Sequence, residues 1–472
     1  MSDEFDAVVE RVRERVEPDA AERERLDAVA DDLRERARAA IADLPVDADV
    51  IQVGSTARDT WLAGDRDVDL FVAFPPDLDR ERLESYGLDV GHAVLPEGHE
   101  EYAEHPYVKG VYDDFDVDLV PCYAVEDATE IQSAVDRTPF HTEYLTERID
   151  ADLAGEVRVA KQFLTGIGVY GSDLRTRGFS GYLTELLVHE YGDFRAFVEG
   201  AADWHPPVTF DPEDHAEERE TASPSRNDEV GGADLAFDDP LVVVDPTDPE
   251  RNVAAVCTAE SVARLQHYAR DLLADPRESL FFAALPEAVD AETVRETFER
   301  RGTTPVALRF AAPDIVEDQL YPQLDRSLAG IVGELDRRGF DVLRAAAWAD
   351  ETVALLAELE VAERPTVERH EGPPVHVRGH SEGFYEAYAD DDPESDGTYG
   401  PFLDGDRYVV ERPRAFETAV GLLESDALFD VALGAQIEAA LEGDYEVLAG
   451  EAVSELAEEF GVELARYLAP RP

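Results

Sequence analysis

The sequence predicts an α+β protein of several domains, with a mixed sheet and its helices first, a helical segment next and α/β modules after it. The 472 residues are too many for one core, because a domain typically has about 150 residues. Alternating strand patterns at 67–74 and 115–121 precede a helical pattern from 152 to about 199. A β-α-β-β pattern follows at 305–358. Strands and helices in separate blocks are typical of the α+β class.

The chain begins with two predicted amphipathic helices over residues 3–43, separated at Pro18. The second has apolar residues at the spacing of one helical face: Leu26, Val29, Ala30, Leu33, Ala37 and Ile41. A short apolar strand is predicted at Val50–Val53, and a helix is expected to start within Thr56–Trp61. These helices are expected to pack beside the first sheet.

Three further predictions concern the segments between and after the first strands. Residues 91–106 are polar and rich in Gly, His and Glu, which predicts a mobile loop. Residues 211–235 are rich in Pro, Asp, Glu and Ser, which predicts a solvated acidic insertion. The chain is expected to regain order at a strand over Leu241–Val244, followed by a helix over Val253–Leu273.

The charge of the chain is extreme: 108 acidic and 42 basic side chains give a formal net charge of −66. A hydrophobic content of 44% is nevertheless ordinary for folded domains, so the charge is interpreted as a surface property. Lysine occurs only at Lys109 and Lys161. Acid spread through every segment, with Arg in place of Lys, is typical of a protein from a salt-saturated cytosol, where charges are screened within about 3 Å at 1 M salt. We interpret the chain as haloarchaeal.

The cysteines and the N-terminus bear on location. Cys122 and Cys257 have no CxxC spacing, which argues against a disulfide framework and a zinc site. The N-terminus is acidic rather than a basic and then apolar leader, and no apolar run approaches the roughly 18 residues of a membrane span. The expectation is a soluble cytoplasmic protein.

The stretch from Gly54 to Phe71 is the most informative motif. It joins a Gly54-Ser55 turn with Asp67 and Asp69, two acids on one face of a predicted strand. Asp118 lies in a second strand of the same pattern, and acids within strands are costly unless they meet a cation. Any one Asp in so acidic a chain is more often a solvated surface residue, but the coincidence with the Gly-Ser turn favours a shared two-metal site.

Two other motif matches are excluded. Asp65-x-Asp67-x-Asp69 begins like a calcium loop, but Leu70 stands where the loop needs Gly and Pro76 where it needs Glu. Gly166–Gly171 matches GxGxxG, yet it follows a helical pattern and lacks the βαβ context of a dinucleotide site.

Several side chains could bind a phosphate or a nucleotide. The Gly54-Ser55 turn offers backbone N–H groups and a hydroxyl, with Arg58 one turn further on, although an ordinary helix cap is the commoner role of a lone Ser. Lys161 stands out because lysine is so rare here, and its ammonium suits a phosphate, although it could equally be a surviving surface lysine. His141 and Tyr170 are ambiguous taken alone.

Taken together, these residues resemble the archaeal, class I CCA-adding enzymes, which are tRNA nucleotidyltransferases of the polymerase beta superfamily. The Gly-Ser and Asp-x-Asp motif alone would indicate only the superfamily, and the order and spacing of further stretches narrow it. Those stretches are Asp118–Tyr123, Arg137–Thr142, Gly166–Gly171, Gly178–Tyr182 with Glu185–Leu187, Asp245–Ala255, and Tyr399–Gly405 with Val409–Arg412.

The resemblance implies a set of site residues. Asp67, Asp69 and Asp118 match the magnesium carboxylates of the family. The residues that match its ATP- and CTP-binding positions are Ser55, Arg58, His141, Lys161 and Tyr170. Arg251 matches a position near the incoming base and the primer end.

The resemblance also implies activity, partners and domain order. The family adds C, C and A to the 3′ end of tRNA without a nucleic-acid template, using CTP and ATP and releasing pyrophosphate, and commonly works as a homodimer. Its fold implies a polymerase-beta-type nucleotidyltransferase head, a helical neck, and an α/β body and tail. The corresponding ranges are 1–145 for the head with its N-terminal helices, 146–210 for the neck, 211–235 for the acidic insertion, 236–285 for the first part of the body, 286–375 for the β-α-β-β tail module and 376–472 for the body and C-terminal tRNA-binding part.

An acidic surface is unusual for a nucleic-acid binder. Counterion release gives a slope near −0.7 to −0.9 per phosphate contact, so molar salt would remove most non-specific attraction. We therefore expect a few Arg side chains, shape and 2′-hydroxyl contacts to hold the acceptor stem.

Three other functions remain open at this stage. A poly(A)-type RNA-tailing enzyme would extend a homopolymer instead of stopping after C-C-A. A non-catalytic RNA-binding relative would be expected to lack one of the three carboxylates. Adenylylation of proteins or antibiotics would not need the body and tail domains.

Overall fold

The computed structural model describes residues 2–102, 104–215, 237–391 and 393–472. The chain divides into two compact units, Met1–Ala284 with Pro472, and Leu285–Arg471. Both units combine helices with mixed or antiparallel sheets, which confirms the predicted α+β class. The finer division into six segments stays a prediction.

The first unit begins with two helices and a five-stranded sheet in the order β1-β2-β5-β4-β3. Asp19 caps the second helix, because its carboxylate accepts the N–H groups of Ala21 and Glu22, both at 2.8 Å. The two predicted N-terminal helices are thereby confirmed. The elements are α1 (Ser2–Val16), α2 (Ala20–Ile41), β1 (Asp49–Val53), α3 (Gly54–Ala57), β2 (Asp67–Phe74), α4 (Arg80–Val94), β3 (His99–Tyr102), β4 (Pro106–Tyr112) and β5 (Phe115–Tyr123).

Alternation along β2 separates a core face from a polar face. Val68, Leu70, Val72 and Phe74 are fully buried in a core that also contains the apolar faces of α2 and α4. Asp67 and Asp69 occupy the other face, which follows from the two-residue period of a strand. β5 repeats this arrangement and pairs with β2 in parallel, so the acids of both strands lie on one side of the sheet.

Two local predictions for this region were wrong. The described residues within 91–106 do not form the predicted loop, because they hold the end of α4, all of β3 and the first residue of β4. Gly91 is needed there for packing, since a β-carbon built on it would lie 2.4 Å from Val108 Cγ2. The helix expected within Thr56–Trp61 is the single turn α3, which ends before Asp59 takes a positive φ of 53°.

The remainder of the first unit is mainly helical, as predicted for residues 152–199. The helix predicted over Val253–Leu273 begins later, at Ala259, after Thr258 caps it by accepting the Ser261 N–H at 3.1 Å. The elements are α5 (Thr138–Thr146), α6 (Ala151–Gly166), α7 (Gly181–Tyr191), α8 (Phe194–Ala202), β6 (Val208–Phe210), β7 (Leu241–Asp245), β8 (Asp248–Asn252) and α9 (Ala259–Ala274). Most of the predicted insertion, from 216 to 235, lies outside the described residues.

The second unit contains a four-stranded sheet in the order β10-β11-β9-β15 and a three-stranded sheet in the order β12-β14-β13. The β-α-β-β pattern occurs from β9 to β11, with the long helix packed on the sheet. The elements are α10 (Ala291–Arg301), β9 (Thr304–Ala311), α11 (Glu317–Arg337), β10 (Val342–Ala349), β11 (Thr352–Leu359), β12 (Val367–Pro374), α12 (Arg378–Tyr388), β13 (Tyr399–Asp404), β14 (Arg407–Pro413), α13 (Ala419–Leu423), α14 (Ala435–Gly443), β15 (Glu446–Ala449) and α15 (Ala457–Leu468).

Two further predictions concern the GxGxxG stretch and membrane-spanning helices. The GxGxxG stretch starts at the last residue of α6, so it follows a helix and not a strand. Within the described parts of the chain, none of the helices has the length and apolar content needed to cross a bilayer.

Candidate active site

The three predicted metal carboxylates lie on adjacent strands of the first sheet. Asp67 and Asp69 belong to β2, and Asp118 of β5 is the register partner of Asp69. Directly opposed like charges destabilise a sheet unless a cation compensates them. The sheet thus brings together the acids that the sequence analysis singled out.

The ionisation of these acids reflects their crowding. Burial, followed by the charges of Asp118 and Asp67, raises the pKa of Asp69 from 3.8 to about 6. Burial also raises the pKa of Asp118, and burial together with the neighbouring Asp116 raises that of Asp67. All three carboxyl groups therefore ionise less readily than an exposed Asp does, chiefly because they are partly buried.

Lys109 is one source of positive charge. It is the register partner of Asp118 on β4, and its Nζ lies 3.4 Å from Asp118 Oδ1. The sequence analysis gave Lys109 no role in the site, and the structure places it beside a predicted metal ligand. Lys109 lowers the pKa of Asp118 but does not offset burial and the neighbouring carboxylates, so that pKa stays raised.

The Gly54-Ser55 turn lies directly against the acids. A β-carbon built on Gly54 would lie 2.1 Å from Asp69 Oδ2, and Gly54 has a positive φ of 76°. Only glycine meets both conditions, so the backbone can come this close to Asp69. Among the described residues, the Ser55 hydroxyl has no hydrogen-bond partner, which leaves it able to bind a ligand. Because α3 is a single turn, its dipole contributes little, and the hydroxyl and backbone N–H groups would have to bind an anion.

Arg58 leaves this turn and enters a buried polar cluster. Its Nε donates to Glu185 Oε2 at 2.7 Å, and its Nη1 donates to Thr142 Oγ1 at 3.2 Å. The side chain of Arg58 is 7% exposed and that of Glu185 is fully buried. Arg58 is therefore held beside the turn by a fixed anion before any ligand arrives.

Lys161 belongs to the same cluster. Its Nζ donates to Glu185 Oε1 at 2.8 Å and to the carbonyl and hydroxyl oxygens of Thr60, both at 3.1 Å. An ammonium has three donors, and these contacts use all of them. Tyr170 lies close by, since a β-carbon built on Gly181 would be 3.2 Å from the Tyr170 hydroxyl oxygen and 3.8 Å from Lys161 Nζ. Direct contact of Lys161 with a nucleotide stays a prediction.

His141 and Arg251 meet at another buried carboxylate. His141 Nε2 lies 2.7 Å from Asp245 Oδ2, and Arg251 Nη1 donates to the same oxygen at 2.8 Å. Asp245 Oδ1 accepts the backbone N–H of Thr247 at 3.0 Å and its hydroxyl at 2.9 Å. His141 also stacks on Tyr182, with ring centroids 4.0 Å apart. His141 of α5 and Arg251 of β8, two predicted site residues, are thus held in place by the same buried carboxylate.

The protonation states within this second cluster follow from burial and hydrogen bonding. Burial opposes ionisation of Asp245, but hydrogen bonds from His141 and Thr247 outweigh it and hold its pKa well below the usual range. Burial lowers the pKa of His141. A neutral His141 donating Nε2–H to an ionised Asp245 satisfies both directions.

The residues present fit a divalent metal of the magnesium type. Mg²⁺ prefers carboxylate oxygens and usually keeps several waters. Asp67, Asp69 and Asp118 supply such oxygens, and their raised pKa values indicate a deficit of positive charge. In the parts of the chain that the structure describes, no group of three His, Cys, Asp or Glu side chains is already gathered around a point.

A mixed sheet with paired acids and a Gly-Ser turn against them defines a nucleotidyltransferase. A family model for the nucleotidyltransferase domain matches residues 30–141, a model for the second domain of tRNA nucleotidyltransferases matches 155–282, and a model for the C-terminal domain of CCA-adding enzymes matches 301–450.

Named relatives cover the whole chain. The CCA-adding enzyme of Haloarcula marismortui is 63% identical and that of Halorubrum lacusprofundi 61% identical, each over 100% of both chains. The CCA-adding enzyme of Methanosarcina barkeri is 37% identical over 97% of each chain. The chain belongs to the CCA-adding enzyme family. The first two relatives also agree with the halophilic archaeal origin predicted from composition.

Proposed function

We propose that the chain adds and repairs the 3′-terminal C-C-A of tRNA with CTP and ATP, using Mg²⁺ and releasing pyrophosphate. The observation that carries this proposal is the close approach of the Gly54-Ser55 turn to Asp69, which itself faces Asp118 across two parallel strands. This geometry supports a phosphate-binding role for the turn and a divalent-cation site beside it, as transfer of a nucleotidyl group requires.

The acidic site would hold the metal ions. Asp67, Asp69 and Asp118 are the proposed Mg²⁺ ligands, and ions bound there supply activation of the tRNA 3′-hydroxyl and charge neutralisation of the triphosphate. In the reaction the 3′-hydroxyl loses its proton to solvent and its oxygen attacks the α-phosphorus in line, the bond from the α-phosphorus to the bridging oxygen breaks, and pyrophosphate leaves. No covalent enzyme intermediate is needed.

The remaining site residues would bind and orient the nucleotide. Ser55 and the backbone N–H groups of its turn would bind the triphosphate, with Arg58 beside them. Lys161 and Tyr170 lie close to these groups and would help to hold them in place. His141 and Arg251, fixed by Asp245, would lie near the base and the primer end.

Incubation with tRNA lacking its 3′ end tests the proposed reaction. The full chain is supplied with Mg²⁺, CTP and ATP in molar KCl, and the product ends are sequenced. The expected product stops after C-C-A. Continued addition of one nucleotide would instead indicate an RNA-tailing enzyme, and the absence of any incorporation would contradict the proposal.

The proposed partners and setting are tRNA, ATP and CTP in a haloarchaeal cytosol, with the chain acting as a homodimer. Light scattering after size-exclusion chromatography in molar KCl tests the homodimer, because the mass of one chain is 52.1 kDa. A mass of a single chain at working concentration would contradict that part of the proposal.

A further inference from the structure

Glu185 makes more contacts within the candidate site than any role proposed so far requires. It lies on α7, has no exposed surface, and uses its two oxygens for different partners. Oε2 accepts from Arg58 at 2.7 Å, while Oε1 accepts from Lys161 at 2.8 Å and from the Thr60 hydroxyl at 2.6 Å. One carboxylate thus joins α6, α7 and the segment that follows the Gly-Ser turn.

The electrostatics of this cluster keep Glu185 ionised. Burial opposes its charge, but Lys161 and Arg58 outweigh burial and lower the pKa of Glu185 from 4.5 to about 2. Ionised Glu185 can therefore hold both Arg58 and Lys161 through charge-assisted hydrogen bonds.

Thr60 connects the cluster to the phosphate-binding turn. Its hydroxyl bonds Glu185 and Lys161, and its backbone N–H donates to the Ser55 carbonyl at 3.0 Å. Glu185, the carboxylate that orients Arg58, is therefore also linked through Thr60 to the backbone of the turn. A displacement of Glu185 would move both the guanidinium and the turn.

We propose that Glu185 is the positioning residue of the triphosphate subsite: it fixes Arg58 and, through Thr60, the Gly54-Ser55 turn. This inference rests on the proposed function. Because CTP and ATP share the triphosphate and differ in the base, a fault in this subsite must affect both nucleotides equally. Lys161 then acts mainly by balancing the charge of Glu185 and bonding Thr60.

The chain contains a matched control for a buried glutamate. Glu358 in the second unit is also fully buried, and it accepts from Arg301 Nε at 2.6 Å and from the Thr303 hydroxyl at 2.6 Å. Tyr467 and Arg344 complete its surroundings. Its chemistry is close to that of Glu185, but the partners named here belong to the second unit and not to the proposed nucleotide subsite.

The experiment compares Glu185→Gln with Glu358→Gln in the full-length chain. Calorimetry with CTP, ATP and tripolyphosphate in Mg²⁺ and molar KCl gives dissociation constants, and thermal unfolding shows how much each variant loses in stability. We expect Glu185→Gln to weaken all three ligands by the same factor, roughly 10- to 100-fold. We expect Glu358→Gln to bind them within about twofold of the parent despite a comparable fall in stability.

Several results would overturn the inference. Unchanged binding in Glu185→Gln would show that Glu185 only stabilises the fold, and tighter binding would show that it competes with phosphate for Arg58 and Lys161. A loss confined to one nucleotide would place its effect at the base. If the unaltered chain incorporates nucleotides and Glu185→Gln binds like Glu358→Gln, this inference fails alone; if the unaltered chain incorporates none, the proposed function fails first.

A second pair of variants applies if Glu185→Gln does not fold. Thr60→Val keeps the shape of the side chain but removes the hydroxyl between Glu185 and Lys161, while Thr60→Ser keeps the hydroxyl. We expect Thr60→Val to weaken CTP, ATP and tripolyphosphate equally, by roughly 3- to 10-fold, and Thr60→Ser to bind like the parent. Binding by Thr60→Val equal to that of the parent would contradict the inference.

Discussion

The carboxylates of the sheet and the carboxylates of the two buried clusters differ in their supply of cations. Asp67, Asp69 and Asp118 have raised pKa values with Lys109 as their nearby ammonium. Glu185 and Asp245 are fully buried yet have lowered pKa values.

The difference follows from the neighbours, since burial alone raises the pKa of every carboxyl group. Glu185 has Arg58 and Lys161 as partners, and Asp245 has His141 and Arg251. The buried carboxylates have an Arg and a Lys or His as bonded partners, whereas the sheet acids keep raised pKa values. On this contrast we propose that the former position the site and the latter bind a metal.

The largest expected effect is the removal of a sheet acid. Asp69→Ala or Asp118→Ala should lower the rate of CTP and ATP incorporation by roughly 10³-fold or more, because metal ions supply several kcal/mol of charge stabilisation. Incorporation of labelled nucleotide into tRNA measures it. Asp114→Ala is the control, since its side chain is 73% exposed in the β4–β5 turn and should leave the rate unchanged. Substantial activity in Asp69→Ala would refute the metal assignment.

A smaller effect is expected when the second cluster loses its anion. Asp245→Asn keeps the shape but leaves Arg251 and His141 without a charged acceptor, so their orientation near the base should relax. We expect kcat/KM to fall about tenfold, because removing one charge of a buried pair leaves its partner without a fixed orientation. The factors for CTP and ATP should differ, because His141 and Arg251 are proposed to lie near the base. In Glu185→Gln, by contrast, the losses for CTP and ATP should be equal. Equal losses in Asp245→Asn would place Asp245 with the triphosphate subsite.

The next effect concerns stability and pH in the presence of a chelator. Because the pKa of Asp69 is raised from 3.8 to about 6, the folded state binds more protons than the unfolded state between these values. Ionised Asp69 therefore costs stability above pH 6, and the cost disappears as pH falls towards 3.8. Asp69→Asn should be more stable than the parent at about pH 7, by about 1 to 2 kcal/mol, with the gain shrinking at lower pH.

Glu185 should show the opposite sign. Its lowered pKa contributes stability that is present above pH 4.5 and is lost as pH falls from 4.5 through about 2. Denaturant titrations from neutral pH down to about pH 2 compare the free energies of unfolding of Asp69→Asn and Glu185→Gln with that of the parent. A destabilised Asp69→Asn in chelator at neutral pH would contradict the cation deficit proposed for the sheet.

The smallest expected effect is at Lys109. Its ammonium repels a divalent cation near Asp118, so Lys109→Met should lower the Mg²⁺ concentration for half-maximal activity by roughly two- to fivefold. Lys109→Arg keeps the charge and should behave like the parent. A higher Mg²⁺ requirement in Lys109→Met would mean that the lysine assists metal binding.

Much of this organisation could be predicted from local pattern. The alternation in β2 and β5 predicted that Asp67, Asp69 and Asp118 would share one face, because a strand has a two-residue period. The Gly54-Ser55 turn was predicted because a Gly-Ser pair between a strand and a helix offers backbone N–H groups and a hydroxyl to an anion. The rarity of lysine singled out Lys161, whereas the site roles of His141, Tyr170 and Arg251 came from resemblance to a family.

The parts that were missed depend on tertiary contacts. Glu185 and Asp245 are acids among 108, and their partners lie up to 127 residues away in the chain. Strand β3, within residues 91–106, was not predicted because it is short, polar and exposed at the edge of the sheet. Lys109 could have been found from rarity alone, since both lysines of the chain contact proposed site carboxylates.

The scarcity of lysine has a practical consequence. The Lys109 side chain is 38% exposed, whereas that of Lys161 is 2% exposed. An amine-reactive fluorophore would therefore attach at Lys109 and at the chain terminus, without any engineered cysteine. A dye at Lys109 would lie next to Asp118 and could report, by its emission, when the acidic face gains or loses a cation.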